Sequence, residues 1–505
     1  MLSEHISLLR RYPASIGYRQ QLILWLIILL LYRFWVITLP HIEVFFDEAY
    51  YYFWSQNLAW GYYSKPPVVA WLIAISTAVL GDTVLGVKLF APILYCVTAY
   101  FVFKIGQYLY SERVGLVAAI IFSVSPLVGF NSLFITTDAP LFLFWSITCF
   151  LFIKALDSKS LGLWVLLGVC SGLGLLSKYT FVILLFGLFC FLIFSGRFKL
   201  FFSTRCLLAV LLCLGLFSTN IFWNWQHEFV SFTHTREIAK IEKPSFHLDH
   251  LVEFLLAQVL IFGLVWCVVL LGQVRNFTKA MRQNDRFFFL VWITIPILVV
   301  IATQAFISRA FANWAGPFVI GASIAAAVCL VNRPRNILLT GVAINLLLLS
   351  LVYHWPQLLD MSNTVQSRNN SPYFRLAGWR EVSNKCGPIL TRYPKAIVVS
   401  DSRELLSYIG FYNRLHVSQI GFWNPQRSYI ANHFDLMANI DVIAARGIEE
   451  FIFLSGTPLS PDVQDFFQNV QLVEKVDYQF NTTIQRNVYV YYATGFKGYR
   501  YAEGA

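Results

Sequence analysis

Apolar residues in this chain run in long unbroken stretches instead of alternating with polar ones. They lie at about 22–39, 86–108, 113–131, 137–156, 161–176, 178–195, 205–223, 251–271, 287–306, 311–331 and 336–354. Most approach the length of about 20 residues that a membrane-crossing helix requires. The pair 161–176 and 178–195 is divided only around Ser177 and Lys178, which predicts two short helices that tilt little or meet in a re-entrant bend. A twelfth stretch, 66–81, opens on Pro66-Pro67 and stops at Gly81-Asp82.

The status of 66–81 sets the topology. If it stays on the outer surface, eleven crossings put Arg10, Arg11, Arg19, Arg113, Lys154, Lys159, Arg197, Lys199, Arg205, Arg275, Lys279, Arg282, Arg286, Arg333 and Arg335 on the cytoplasmic side, a strong positive-inside bias. If it crosses, most of these charges face outward. It is therefore read as an interfacial helix, and the tail after His354 falls outside. That tail has charged residues, turns and β-rich runs at 396–399 and 487–492, and Asp401 with Glu404 three residues on reads as a capping box opening a helix through Tyr412. The predicted architecture is a polytopic α-helical membrane protein with about 11 transmembrane helices and interfacial helices in its first outer loop (residues 1–355), followed by a small α/β domain (356–505). No internal repeat is found, which weakens a transporter built on inverted repeats.

Composition narrows the class further. Of 505 residues 57% are hydrophobic and only 13% charged, against about 25% charged in an ordinary soluble domain, so a soluble single-core protein is excluded. The net charge of +11 is spread over short loops with no basic stripe, which argues against nucleic acid. Of the nine cysteines, only Cys386 lies outside the apolar segments, so neither a disulfide framework nor a cysteine-based zinc site is expected. The first apolar stretch lacks a small-residue cleavage site behind it and reads as a retained anchor. A Walker P-loop and a Rossmann fingerprint are both missing, which leaves direct use of ATP or a nucleotide sugar without support.

Candidate chemistry concentrates on the outer face. Asp47 and Glu48 stand in the aromatic-rich run 45–54, just beyond the first helix, and the same loop ends on Lys65 before two prolines. An aromatic belt with two solvated acids accounts for the composition equally well; the length of the loop and its cationic end favour a site. Asp138, before Ala139-Pro140 at a helix start, serves equally as an N-cap. The eleven-helix topology puts Asp47, Glu48 and Asp138 on one face of the membrane, where they can bind or deprotonate a polar acceptor. Lys65, Lys88, Lys178 and Arg309 are the cations near that face. Each alone reads as a snorkelling residue, but burying a charge costs about 2.5–3.5 kcal/mol on insertion scales, so Lys178 between apolar helices is expected to have an anionic partner such as a lipid phosphate. At an effective dielectric of about 20, one lysine roughly 6 Å from a phosphate contributes about 3 kcal/mol before desolvation. His227, Glu228 and His234 match no metal spacing.

Taken together, Asp47-Glu48, Tyr62 through Lys65-Pro66-Pro67, Thr137-Asp138-Ala139-Pro140, Leu176-Ser177-Lys178-Tyr179 and Asn313-Trp314 before Pro317 resemble the glycosyltransferase family 39 membrane enzymes. That family has a GT-C fold and includes protein O-mannosyltransferases and the aminoarabinose transferases of lipid A. The resemblance covers most of residues 20–330 and implies inverting transfer of a sugar from a polyprenyl (undecaprenyl) phosphate to an acceptor outside the cytoplasmic membrane. It implies catalytic roles for Asp47, Glu48 and Asp138. Tyr62, Lys65 and Lys178, with Lys88 and Arg309, would contact the donor phosphate, and Tyr50, Asn313 and Trp314 the acceptor or the sugar. The aminoarabinose branch has an Arg where this chain has Tyr50, which bears on donor and acceptor identity. It also has a Glu where this chain has Ser64, so no zinc site is carried over. No cofactor is required, and a divalent metal has no support.

The expected function is that of a bacterial inner-membrane enzyme modifying lipid A or a related envelope glycolipid, its active site facing the periplasm. A carboxylate beside the sugar and lysines beside the phosphate would match the charges that separate as the glycosidic bond opens. A protein O-glycosyltransferase with the same donor is the alternative within the class. A lipid-linked sugar transporter or flippase is the alternative outside it, though it predicts charged residues at mid-depth, where these stretches have few.

Overall fold

The computed structural model describes residues 17–239, 246–274, 285–425 and 429–499; Arg10, Arg11, Arg275, Lys279 and Arg282, which helped to orient the chain above, lie outside them. The apolar stretches fold as helices, though not all as single long ones. In chain order the first are α1 (Tyr18–Ile37), α2 (Phe46–Ser55), α3 (Val68–Leu80), α4 (Val84–Lys88), α5 (Phe90–Leu109), α6 (Glu112–Ser123), α7 (Pro126–Asn131) and α8 (Asp138–Leu156). They continue with α9 (Leu161–Leu175), α10 (Val182–Phe194), α11 (Thr204–Gln226), α12 (Val230–Ala239), α13 (Leu248–Phe262), α14 (Leu264–Leu271), α15 (Asp285–Ile307), α16 (Phe318–Leu330) and α17 (Arg335–Tyr353).

Among the described residues, six segments are long and apolar enough to cross a membrane: α1, the continuous α4–α5, α8, α11, α15 and α17. A seventh is the pair α13–α14, bent by 107° at Gly263, whose φ of +115° only glycine adopts without strain. Length thus picks out fewer crossings than the eleven apolar stretches, because some breaks fall inside stretches. Pro126 starts a new helix within 113–131. Helices α3, α9, α10 and α16 are shorter apolar segments; at 1.5 Å per residue, the 13 residues of α3 span about 20 Å, less than the roughly 30 Å hydrocarbon core.

The C-terminal residues carry α18 (Trp355–Met361), α19 (Trp379–Arg392) and α20 (Arg403–Tyr412), together with β1 (Ile397–Ser400), β2 (Ile420–Phe422), β3 (Glu450–Ser455), β4 (Phe467–Gln479) and β5 (Gln485–Phe496). The strands form one mixed sheet in the order β2-β1-β3-β5-β4, with β1 parallel to both neighbours and the β3–β5 and β5–β4 pairs antiparallel. The β1 residues alternate between two apolar layers: Ile397 and Val399 in one, Val398 in the other. Helix α20 ends at Tyr412 as the sequence predicts, but its cap is Ser402, whose hydroxyl accepts from the Leu405 N–H, and not Asp401.

Helix α2 joins the two parts. Eight of its ten residues, Glu48 through Ser55, are buried. Its aromatic run is therefore protein core and not a membrane-interface belt. Tyr52 meets Phe411 edge-on at 5.1 Å, and Tyr50 and Phe53 meet Phe434 at 5.1 and 5.4 Å. Gly410 of α20 allows this approach, since a Cβ there would stand 2.6 Å from the Phe53 ring and 3.1 Å from Ile420.

Within α2, Glu48 is a structural strut. One carboxylate oxygen accepts from the Phe45 N–H and pairs with Lys88, and the other accepts from the Ile135 N–H at 2.7 Å. The Lys88 ammonium also donates to the Leu133 carbonyl, and neither side chain is exposed. This corrects two sequence expectations. Lys88 is sealed against Glu48 and has no free face for a donor phosphate, and Glu48 has no open face toward a substrate.

Removing one partner of a fully buried ion pair typically costs about 3–5 kcal/mol. Glu48→Gln or Lys88→Met should therefore lower the unfolding midpoint of the detergent-solubilised protein strongly, and the double change should recover part of the loss. Gly410→Val overpacks the α2–α20 contact, typically at about 1–3 kcal/mol. Its expected signature is a modest fall in midpoint with a larger fall in activity, because α20 carries a residue of the site described next.

Candidate active site

The first turn of α2 places two acids at a helix N-terminus, where negative charge is favoured. Glu48 turns inward and Asp47 turns to a cleft, keeping about a third of its side-chain surface (34%) accessible. Burial of its surroundings raises the Asp47 pKa above the usual range, against the pull of Arg403, Lys65 and Arg375.

Lys65 reaches the same cleft from a loop held on three sides. The Asn220 side chain of α11 donates to the Trp60 carbonyl at 2.7 Å, the Ser231 hydroxyl of α12 donates to the Tyr62 carbonyl at 2.7 Å, and the Val68 N–H donates to the Leu176 carbonyl at 3.2 Å. Gly61 makes the seat possible, since a Cβ there would meet the Trp223 ring at 2.4 Å. Among the described residues the Lys65 ammonium makes no ion pair. Burial first, and then the neighbouring Lys178 charge, lower its pKa to about 8, although Asp47 and Asp138 work in the opposite direction.

Asp138 opens α8. Its Oδ1 accepts from Lys178 Nζ at 2.6 Å and its Oδ2 from the Asn313 amide at 2.9 Å. The anionic partner expected for Lys178 is thus a carboxylate of the protein itself. Asn313 comes from the short turn Ala312–Ala315, so Asp138 ties together segments before α8, after α9 and before α16. Tyr51 and Lys65 each lie within electrostatic reach of both Asp47 and Asp138. Trp314 is half-buried on the turn that holds Asn313.

Other expected residues have different places. The Tyr62 hydroxyl donates to the Trp54 carbonyl at 3.0 Å and accepts from the Ala59 N–H, while its ring stacks on Trp54 at 4.7 Å. With no exposed surface, it braces the loop that presents Lys65, a correction to its expected phosphate contact. Arg309 is exposed, with its guanidinium over the Phe311 ring. Tyr50 is buried, its hydroxyl accepting from the His433 N–H. The cation beside Asp47 is Arg403. This side chain lies 3.7 Å from Asp47 Oδ1 and over the rings of Phe46 and Tyr50, 5.0 and 4.9 Å from their centroids. Sequence reasoning missed Arg403, because the only signal near it, the helix start at 401–404, says nothing of a partner in α2.

Among the described residues, metal-ligating side chains do not gather around Asp47. His227 stacks on Trp223, and His234 packs on Tyr63 with its pKa lowered to about 4 by burial and by Lys65 and Arg403. Among the described residues, a group that could hold a metal ion is His247, Asp249 and His250, with ligand atoms within 4.8 Å of one another.

An apolar cavity of about 490 Å³ extends from Tyr179, next to Lys178, between α9, α10 and α11, past Trp164, Leu167, Leu188, Phe217 and Phe232. Among the described residues the site combines a partly open carboxylate and an ammonium without a counter-ion, and the apolar cavity begins at the residue that follows Lys178. Such a set can hold an amphiphile by its anionic head and act as a base beside it.

Residues 64–223 match the family model described as dolichyl-phosphate-mannose-protein mannosyltransferase. The chain is 28% identical over 429 residues to the lipid A galacturonosyltransferase RgtD of Rhizobium johnstonii, covering 82% of this chain and 88% of that protein. Over 124 residues, 23% of this chain and 22% of the relative, it is 29% identical to an undecaprenyl phosphate-alpha-4-amino-4-deoxy-L-arabinose arabinosyl transferase of Pseudomonas aeruginosa. Its fold matches ArnT from Cupriavidus metallidurans bound to undecaprenyl phosphate, with a TM-score of 0.63 at 14% identity, covering 95% of this chain and 98% of the other. The chain is a glycosyltransferase of the GT-C fold.

Proposed function

We propose that this glycosyltransferase takes a sugar from a polyprenyl phosphate and passes it, with inversion, to lipid A or a closely related glycolipid on the outer face of a bacterial inner membrane. The carrying observation is the Asp47–Lys65 cleft beside Lys178 and the apolar cavity. The near-full-length match to a lipid A galacturonosyltransferase supports a glycolipid acceptor over a protein one. Eleven crossings, with residues 356–505 as a periplasmic domain over the cleft, complete the reading.

In this mechanism Lys65 receives the donor phosphate, and Lys178, held by Asp138, adds positive potential behind it. As the bond from the anomeric carbon to the phosphate oxygen breaks, negative charge grows on the phosphate and positive charge on the sugar. Asp47 takes the proton of an acceptor hydroxyl, or orients an acceptor phosphate that is already ionised. Its raised pKa makes it a stronger base than a solvated carboxylate. Arg403 keeps the Asp47 carboxylate turned into the cleft.

Purified protein in nanodiscs, given a polyprenyl-phosphate sugar and lipid A, should yield a lipid A heavier by one sugar residue on mass spectrometry. Asp47→Asn should lower the rate by about 10²- to 10⁴-fold if Asp47 is a general base. Unaltered lipid A alongside a glycosylated protein substrate would favour the protein-directed alternative. Movement of intact donor without transfer would favour a transporter.

A pH profile tests the charge assignments. Lys65 loses its proton above about pH 8, so kcat/KM for the donor should fall on the alkaline side with a limb near there, and Lys65→Arg should remove that limb because a guanidinium does not titrate in this range. On the acid side Asp47 is protonated as the pH drops through its raised pKa. That limb should lie above the ordinary carboxylate range and disappear from the residual activity of Asp47→Asn.

A further inference from the structure

A second cavity, of about 550 Å³, is bounded by Phe46, the residue before Asp47, and by C-terminal residues, and its charged lining is Arg368, Arg375, Arg486 and Glu404. We propose that this cavity binds a sugar-phosphate group of the acceptor glycolipid and so orients the acceptor toward Asp47. The inference rests on the lipid-directed reading above and adds the residues that recognise the acceptor.

Three guanidinium groups face one carboxylate there, an excess of positive charge that an anionic ligand would neutralise. Arg486 is fixed in advance: its Nε donates to the Ala377 carbonyl and one terminal nitrogen to the Phe374 carbonyl, each at 3.0 Å, with the group over the Trp379 ring at 4.7 Å. Arg368 and Arg375 are exposed, and among the described residues their guanidinium groups have neither a hydrogen bond nor an ion pair. Planar forks of this kind match the oxygens of a phosphate in a bidentate way. A volume of this size falls in the range of small-ligand sites and has room for a phosphate with part of its sugar.

Position argues for the acceptor over the donor. The cavity is lined by Phe46, the neighbour of Asp47 on α2, and by Glu404, the neighbour of Arg403 on α20, and Arg403 itself pairs with Asp47. Arg375 is within electrostatic reach of Asp47. The donor-side lysines instead come from the loop before α3 and from the end of α9. Inversion needs the acceptor to enter on the face opposite the leaving phosphate, and this cavity gives Asp47 an anionic-ligand site separate from Lys65 and Lys178.

The test is binding without donor. Full-length protein in nanodiscs is titrated with bisphosphorylated lipid A and with the same lipid after phosphatase treatment, followed by native mass spectrometry. The wild type should prefer the phosphorylated lipid, and Arg368→Glu/Arg375→Glu should weaken its binding at least tenfold while leaving the dephosphorylated lipid, the unfolding midpoint and binding of undecaprenyl phosphate unchanged. Arg375→Lys should retain part of the preference. Glucosamine 1-phosphate should compete. Equal binding of the two lipids by the wild type, unchanged binding by the double variant, or competition by inorganic phosphate at the same concentration would each overturn the assignment. Because no sugar transfer is measured, a charge-dependent lipid A complex in a protein that transfers nothing would leave the cavity assigned and sink the proposed function. Active protein with unaltered acceptor binding in the double variant would do the reverse.

Discussion

One buried carboxylate sets the geometry of this protein. Glu48 is held by two backbone N–H groups and an ammonium, and each contact belongs to a different part of the chain: the entry to α2, the end of α4 and the segment that runs into α8. Asp47 is its neighbour in sequence, and Asp138 follows Ile135 by three residues. Fixing Glu48 therefore fixes the starting points of both acids of the cleft. The high desolvation cost of the pair fits a role in registration: an apolar replacement would pack as densely but would not specify which backbone groups must meet.

The remaining charges fall into two kinds. Lys178 and Asp138 satisfy one another, and Asn313 takes the carboxylate oxygen left over, so this unit is rigid. Lys65 and Asp47 are different: among the described residues the ammonium has no ion pair, the carboxylate is partly open, and both pKa values are shifted toward the neutral form by burial. Groups destabilised in this way gain most when a ligand of opposite charge or a proton donor arrives. The supporting charges are saturated and the working ones are not.

Much of this was legible in the sequence, for identifiable reasons. The apolar stretches mark helices because a lipid environment demands continuous apolar surface, and Asp47, Lys65, Asp138 and Lys178 stand out as charges beside such stretches. What failed was the assignment of partners. Glu48 and Lys88 look like outward-facing groups until the fold seals them together, and Tyr62 looks like a ligand contact until its hydroxyl is seen to close a turn. The aromatic run of α2 reads as an interface belt because a sequence shows amphipathic residues without showing what covers them. Arg403, Arg375 and Arg486 were invisible as site residues, since their relation to Asp47 exists only through the packing of α20 and the sheet.

That packing carries a consequence for biogenesis. The face of α2 is made early as the polypeptide emerges, yet the residues that cover it, Phe411, Phe434 and the Arg403 side chain, lie more than 300 residues further along the chain. Until they arrive the nascent enzyme has an uncovered aromatic surface and an acid lacking its guanidinium neighbour. Completion of the cleft therefore waits on residues as far along as Phe434, and a product truncated before α20 would leave the aromatic face of α2 uncovered and Asp47 without Arg403.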